Sequence, residues 1–111
     1  MTQQTDSRIL NLMLEKIDKL FYILKEHTLE EIESDFTLSD SIQFEFEKLY
    51  EDSTRLSNEF RIMHPEFPYS QLRSIRNRVA HDYESVIIKI LIDTIQNDLQ
   101  DLRAIIAKLI N

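Results

Sequence analysis

The feature that most constrains the fold is the complete absence of glycine from the 111 residues. Two-residue β-hairpin turns, Walker-type phosphate loops and Rossmann dinucleotide fingerprints all depend on glycine, because they need positive φ angles or a close approach of the backbone. Those structures, and the functions that rest on them, are excluded. Apolar residues recur instead at three- and four-residue spacings, which is typical of amphipathic helices. The sequence therefore predicts an all-α protein.

Length and composition indicate one domain. A chain of 111 residues is about one domain long, and 42% of it is apolar, enough for a packed core. Cysteine is absent, which excludes disulfides, thiolate metal sites and cysteine nucleophiles. No apolar run reaches the ~18 residues of a membrane span, and the polar N-terminus does not resemble a signal peptide. We expect a single domain over residues 1–111, located in the cytoplasm.

Two helical segments are predicted in the first third of the chain. A long helix begins at Asp6, a favourable N-cap residue, and ends near Glu26. Thr28 and Glu31 then have the spacing of a capping box, which predicts a short helical turn within an acidic connector.

Three features organise the rest of the chain. An apolar stripe predicts one long helix from about residue 39 to residue 60. Pro65 and Pro68 must interrupt helical structure, so we expect a loop there. A third long helix starts near Tyr69 and a fourth near residue 84. The prediction is an antiparallel bundle of four to five helices.

The fourth long helix has more apolar residues than one buried stripe needs. Val86, Ile87 and Ile90 lie beside the main stripe. Either neighbouring helices cover this segment more completely, or it forms a second contact surface between two copies of the chain. We expect a homodimer.

Charge is distributed unevenly. The net charge is −7, and residues 1–57 carry the whole acidic excess. This balance argues against a general nucleic-acid coat protein. The one basic neighbourhood lies between residues 61 and 81, where a single glutamate accompanies four arginines: Arg61, Arg73, Arg76 and Arg78. These arginines are either ordinary surface charges or a small phosphate-binding site.

Chemically capable side chains are concentrated at Arg76, His81 and Tyr83. On a straight helix Arg76 and His81 would lie about 140° apart, whereas Arg76 and Tyr83 would differ by about 20°. All three converge only if the backbone turns between residues 80 and 84, with Asp82 as a candidate N-cap, or if a second subunit completes the site.

An arginine with a histidine suits phosphodiester chemistry on RNA. His81 could take the proton of a 2′-hydroxyl or return one to the leaving 5′-oxygen. Arg76 could hold two phosphate oxygens and stabilise the transition state, with Asn77, Arg73 and Arg78 binding or orienting the substrate. Such a mechanism requires no metal and no cofactor. From the residues alone, the alternative is a surface histidine at a helix end.

The pattern Arg76-Asn77-x-x-x-His81-x-Tyr83 resembles the signature of the HepT-like toxins of the HEPN superfamily. The segment 64–69, His-Pro-Glu-Phe-Pro-Tyr, is similar to the family's proline-containing lead-in, and residues 97–99 fall on a last helix like the family's. The resemblance implies a dimeric, metal-independent endoribonuclease toxin that cleaves tRNA or mRNA, with the motif lining a cleft between subunits. It also implies a partner, an MNT-type nucleotidyltransferase antitoxin, in a type VII toxin–antitoxin system.

The same resemblance assigns roles to single residues. Arg76 and His81 would be the catalytic pair, and Tyr83 would be the hydroxyl that the antitoxin modifies with AMP. Attached adenylate would place a negative phosphodiester beside the catalytic pair and repel RNA. Where the family commonly has Gly-Glu-Ala, this chain has Tyr-Glu-Asp at positions 50–52. We expect Tyr50 and Asp52 to narrow the cleft or to disfavour RNA.

Other classes of helical protein fit less well. A histidine phosphotransfer domain would need lysine and glycine shortly after His81, and a di-metal carboxylate bundle would need a glutamate three residues before a histidine. Neither pattern is present. The remaining alternative to a nuclease is a non-catalytic helical dimer that binds nucleotide or docks a nucleotidyltransferase.

Overall fold

The computed structural model describes residues 2–82 and 88–110, with side chains at 5–78, 89 and 92–110. Over these residues the chain is helical and contains no strand. The described helices are α1 (Thr2–Glu26), α2 (Leu29–Ser34), α3 (Phe36–Thr54), α4 (Asn58–Met63), α5 (Tyr69–Asp82) and α6 (Ile88–Ile110). Four of them are long and two have six residues each. The predicted all-α bundle is confirmed.

The core is organised around α1. This helix packs against α3 and α6, while α5 packs on α3, α2 on α3 and α6, and α4 on α1. Met13, Ile17 and Leu20 of α1 are completely buried, and burying one such side chain contributes about 1.5–3 kcal/mol. The apolar residues at helical spacing in α1 therefore form its core-facing side, and in α3 the predicted stripe does the same, since Phe46 and Leu49 are also completely buried.

The capping box predicted at the start of α2 is present. The Glu31 backbone N–H donates to Thr28 Oγ1 at 3.1 Å, and the Thr28 backbone N–H donates to Glu31 Oε1 at 2.7 Å. The backbone hydrogen bond from Thr28 holds the pKa of the Glu31 carboxyl below its ordinary value. This local motif fixes where the chain re-enters a helix after α1.

The prediction of one helix over residues 39–60 is wrong in one respect, because this segment is divided between α3 and α4. Ser57 lies between them and caps α4, its side chain accepting from the Phe60 N–H. Its own N–H and hydroxyl donate to the buried carboxylate of Asp6, at 2.9 and 2.7 Å. An N–H held by Asp6 cannot continue the helical hydrogen-bond ladder, so the helix breaks. Asp6 is accordingly not an N-cap, since α1 begins at Thr2.

We expect Ser57→Ala to lower the free energy of unfolding by about 2 kcal/mol, because the substitution removes an N-cap and one hydrogen bond to a buried carboxylate. Chemical denaturation monitored by circular dichroism measures this change. Thr54→Ala is the matched control, since its exposed hydroxyl donates only to the Glu51 carbonyl within α3. Equal stability of the two variants would contradict the proposed cause of the helix break.

The last helix is described from Ile88, and its buried side includes Ile95, Leu99 and Ile106. The surplus apolar residues Val86, Ile87 and Ile90 lie outside the described side chains, so the homodimer stays a prediction. No helix in the described part of the chain is long and apolar enough to cross a bilayer.

Candidate active site

The packing of α5 on α3 decides where the predicted site residues lie. Leu72 and Ile75 are buried, and they fix the face of α5 that is turned toward the core. Arg76 follows at the edge of this face and is half-buried, whereas Asn77 and Arg78 are exposed. The helical repeat of α5 thus places the Arg76 guanidinium against α3 and leaves the side chains of Asn77 and Arg78 open to solvent.

Arg76 is held by residues of two helices. Its Nε lies 3.5 Å from Oε1 of Glu47 on α3, and its guanidinium carbon lies 5.7 Å from the centre of the Tyr50 ring. Its Nη1 donates to Oδ1 of Asn77 at 3.4 Å. A carboxylate, an aromatic face and an amide therefore contact the guanidinium.

Helix α5 carries two further arginines on its exposed surface. Arg73 and Arg78 are exposed and form no ion pair with any residue that the structure describes. Arg61, the remaining member of the basic neighbourhood, lies on α4 with its guanidinium carbon 4.2 Å from the centre of the Tyr69 ring. The arginines predicted to bind substrate, Arg73 and Arg78, are thus exposed to solvent on the helix that carries Arg76.

The backbone geometry limits how Arg76 and His81 can meet. Helix α5 is regular through Asp82, so the predicted turn is absent up to that residue, and Asp82 itself is helical. The rest of the segment in which the turn was predicted, residues 83–84, lies outside the described residues. Five residues of regular helix place the Cα atoms of Arg76 and His81 about 140° apart around the axis and about 7.5 Å apart along it. The His81 side chain and all of Tyr83 lie outside the described residues.

The departure from the family pattern on α3 has two different consequences. The ring of Tyr50 lies against Arg76, which is the position it must have in order to narrow the cleft as expected. Asp52, in contrast, is buried and forms ion pairs with Lys16 on α1, at 2.7 Å, and with Arg55. The carboxylate of Asp52 was expected to narrow the cleft or to disfavour RNA, but it is directed into the bundle, where Lys16 and Arg55 compensate its charge.

The contact from Glu47 was not predicted from the sequence. No motif links positions 47 and 76, and only the pairing of α3 with α5 brings the two side chains together. The one available signal was the position of Glu47 three residues before Tyr50, which places both on one side of α3.

A model of the family described as Ribonuclease HepT-like matches residues 13–109. The chain belongs to the HepT-like ribonuclease family. A protein named "Probable ribonuclease HepT" from Thermococcus cleftensis is 29% identical over 100 residues, covering 86% of this chain and 91% of the relative. Comparison with solved structures finds no significant match. Family membership confirms the resemblance inferred from the motif and places the chain in a class of ribonucleases.

Proposed function

We propose that the chain is a metal-independent endoribonuclease toxin that acts as a homodimer, with Arg76 and His81 as its catalytic pair. The observation that carries this proposal is the placement of Arg76. Its guanidinium is anchored by Glu47 and Tyr50 of α3, on a helix whose exposed surface also carries Arg73 and Arg78. An anchored guanidinium is pre-organised to bind a phosphate through its remaining N–H groups.

The proposed reaction is transesterification within the RNA chain. His81 removes the proton from a 2′-hydroxyl, the 2′-oxygen forms a bond to phosphorus, and the 5′-oxygen leaves with a proton from the acid. Arg76 stabilises the extra negative charge on the phosphoryl oxygens as the pentacoordinate state forms. The products are a 2′,3′-cyclic phosphate and a free 5′-hydroxyl.

Helix continuity supports the dimeric form of the proposal. Because α5 is regular through Asp82, the backbone does not turn Arg76 and His81 toward each other within that stretch. A two-fold axis beside α5 would bring a second copy of the motif to the same phosphate and supply separate acid and base groups. Asn77, Arg73 and Arg78 would then bind the flanking phosphates.

The proposal includes control by a second protein. An MNT-type nucleotidyltransferase antitoxin would transfer AMP to Tyr83, in a type VII system whose target is tRNA or mRNA. A fixed negative phosphodiester next to Arg76 would occupy the phosphate position and repel the RNA backbone.

One observation favours a second function. The Tyr50 ring, at a position where the family commonly has glycine, lies 5.7 Å from the guanidinium carbon of Arg76. A ring at this place reduces the room for a polynucleotide. It suits a non-catalytic dimer that binds nucleotide or docks the nucleotidyltransferase.

Expression of the wild-type chain without a partner separates these functions. We expect growth arrest, and we expect the purified protein to cleave RNA in the presence of EDTA, leaving 2′,3′-cyclic phosphate ends. A 2′,3′-cyclic phosphate blocks ligation at the 3′ end of the RNA. Cleavage products with such ends should therefore become ligatable only after treatment with an enzyme that removes the cyclic phosphate. RNA that stays intact with folded, dimeric protein would favour the non-catalytic alternative.

A further inference from the structure

The Nε edge of the Arg76 guanidinium, which is turned toward α3, faces the carboxylate of one side chain, Glu47. Arg76 Nε is buried from solvent and has no hydrogen-bond partner among the described residues. Oε1 of Glu47 lies within ion-pair distance of this Nε, at 3.5 Å. The Arg76 side chain is 38% exposed and the Glu47 side chain 27%. A buried N–H of a charged group is costly without compensation. Glu47 supplies that compensation.

The contacts around the guanidinium leave one end of it open. Glu47 faces Nε, the Tyr50 ring faces the plane, and Asn77 Oδ1 accepts from Nη1. Nη2 has no partner in the described part of the chain. Because guanidinium is planar and its five donors have fixed directions, holding the Nε edge also sets the direction of both Nη groups.

We propose that Glu47 is a positioning residue for the phosphate-binding Arg76, an inference that rests on the proposed ribonuclease function. Glu47 does not touch the RNA in this arrangement. It holds the guanidinium edge against α3, so that the Nη end is directed at the scissile phosphate before substrate arrives. The orientation of the Arg76 guanidinium then depends on the contact between α3 and α5 as well as on the motif in α5.

Removal of the Glu47 charge has two consequences of opposite sign. A freed guanidinium spends less time in the productive orientation, and small misplacements of a catalytic group have large effects on turnover. The loss of a negative charge beside the site also weakens repulsion of the RNA backbone. A positioning role therefore predicts a lower kcat together with a lower KM. Simple loss of folded protein would lower kcat and leave KM unchanged.

The experiment measures steady-state cleavage of a fluorescent RNA oligonucleotide by full-length dimers. We expect Glu47→Gln to lower kcat about tenfold and to lower KM by up to about threefold. Glu45→Gln is the matched control, because Glu45 lies on the same helix and pairs with a basic residue of α1, Lys19, at 4.0 Å. Both of its constants should stay within about twofold of wild type.

A second variant keeps the test decisive if Glu47→Gln folds poorly. Glu47→Asp retains the charge but withdraws it by one methylene. Its kcat per folded dimer, with the folded fraction measured by circular dichroism, should fall while KM stays at the wild-type value. Identical kcat values for Glu47→Gln and Glu45→Gln would overturn the inference and leave the proposed function intact. Wild-type cleavage by Arg76→Ala would overturn both, since Glu47 cannot position a group that the reaction does not use.

Discussion

Replacement of Arg76 or His81 by alanine should lower RNA cleavage about 10²–10³-fold and abolish growth arrest, because each substitution removes a group that stabilises the transition state. Loss of the Arg76 guanidinium removes hydrogen bonds to the phosphoryl oxygens and so raises the free energy of the negatively charged transition state. Loss of the imidazole removes the acid or base that moves the proton. Single-turnover cleavage of a defined RNA, measured with EDTA present, gives the rate constants without a contribution from product release.

Matched controls separate catalysis from folding and from general charge effects. Arg103→Ala removes an exposed arginine of α6 that pairs with Asp18 of α1 at 2.7 Å. His27→Ala removes a histidine between α1 and α2. Both controls should retain wild-type cleavage and toxicity. Arg76→Ala or His81→Ala protein that is folded and as toxic as these controls would remove the catalytic assignment.

The parts of the fold that could be predicted are those governed by local patterns. The stripe containing Met13 and Ile17 and the capping box of Thr28 depend on residues within a few positions of one another, so spacing alone determines them. The break at Ser57 could not be predicted, because its cause is Asp6, 51 residues away. The apolar stripe continues through the break, with Leu56 and Phe60 both buried, and therefore gives no sign of it.

The same distinction applies to the candidate site. Register along a regular α5 correctly separates Arg76 from the buried positions Leu72 and Ile75. Spacing could not predict what holds Arg76, because the contact to Glu47 requires knowledge of how α3 and α5 pair. It also could not show that the carboxylate of Asp52 is directed into the bundle. That result depends on Lys16 of α1.

Substitution of Tyr83 by phenylalanine should eliminate AMP transfer to the chain. When wild-type protein is produced together with an MNT-type nucleotidyltransferase, intact mass spectrometry should show an increase of one or more AMP units. In the proposed transfer, the phenolic oxygen attacks the α-phosphorus of ATP and displaces pyrophosphate, so a ring without that oxygen cannot accept the group. Tyr22→Phe is the matched control, because Tyr22 is 65% exposed on α1 and distant in sequence from the motif.

The functional consequence follows from charge. Modified wild-type protein should bind RNA at least about tenfold more weakly, because a fixed phosphodiester near Arg76 occupies its donors and repels the incoming backbone. Tyr83→Phe protein should remain toxic in cells that contain the nucleotidyltransferase, whereas Tyr22→Phe should be neutralised like wild type. Neutralisation of Tyr83→Phe without any mass increase would show that the partner inhibits by binding alone. A mass increase that persists in this variant would place the acceptor on another residue.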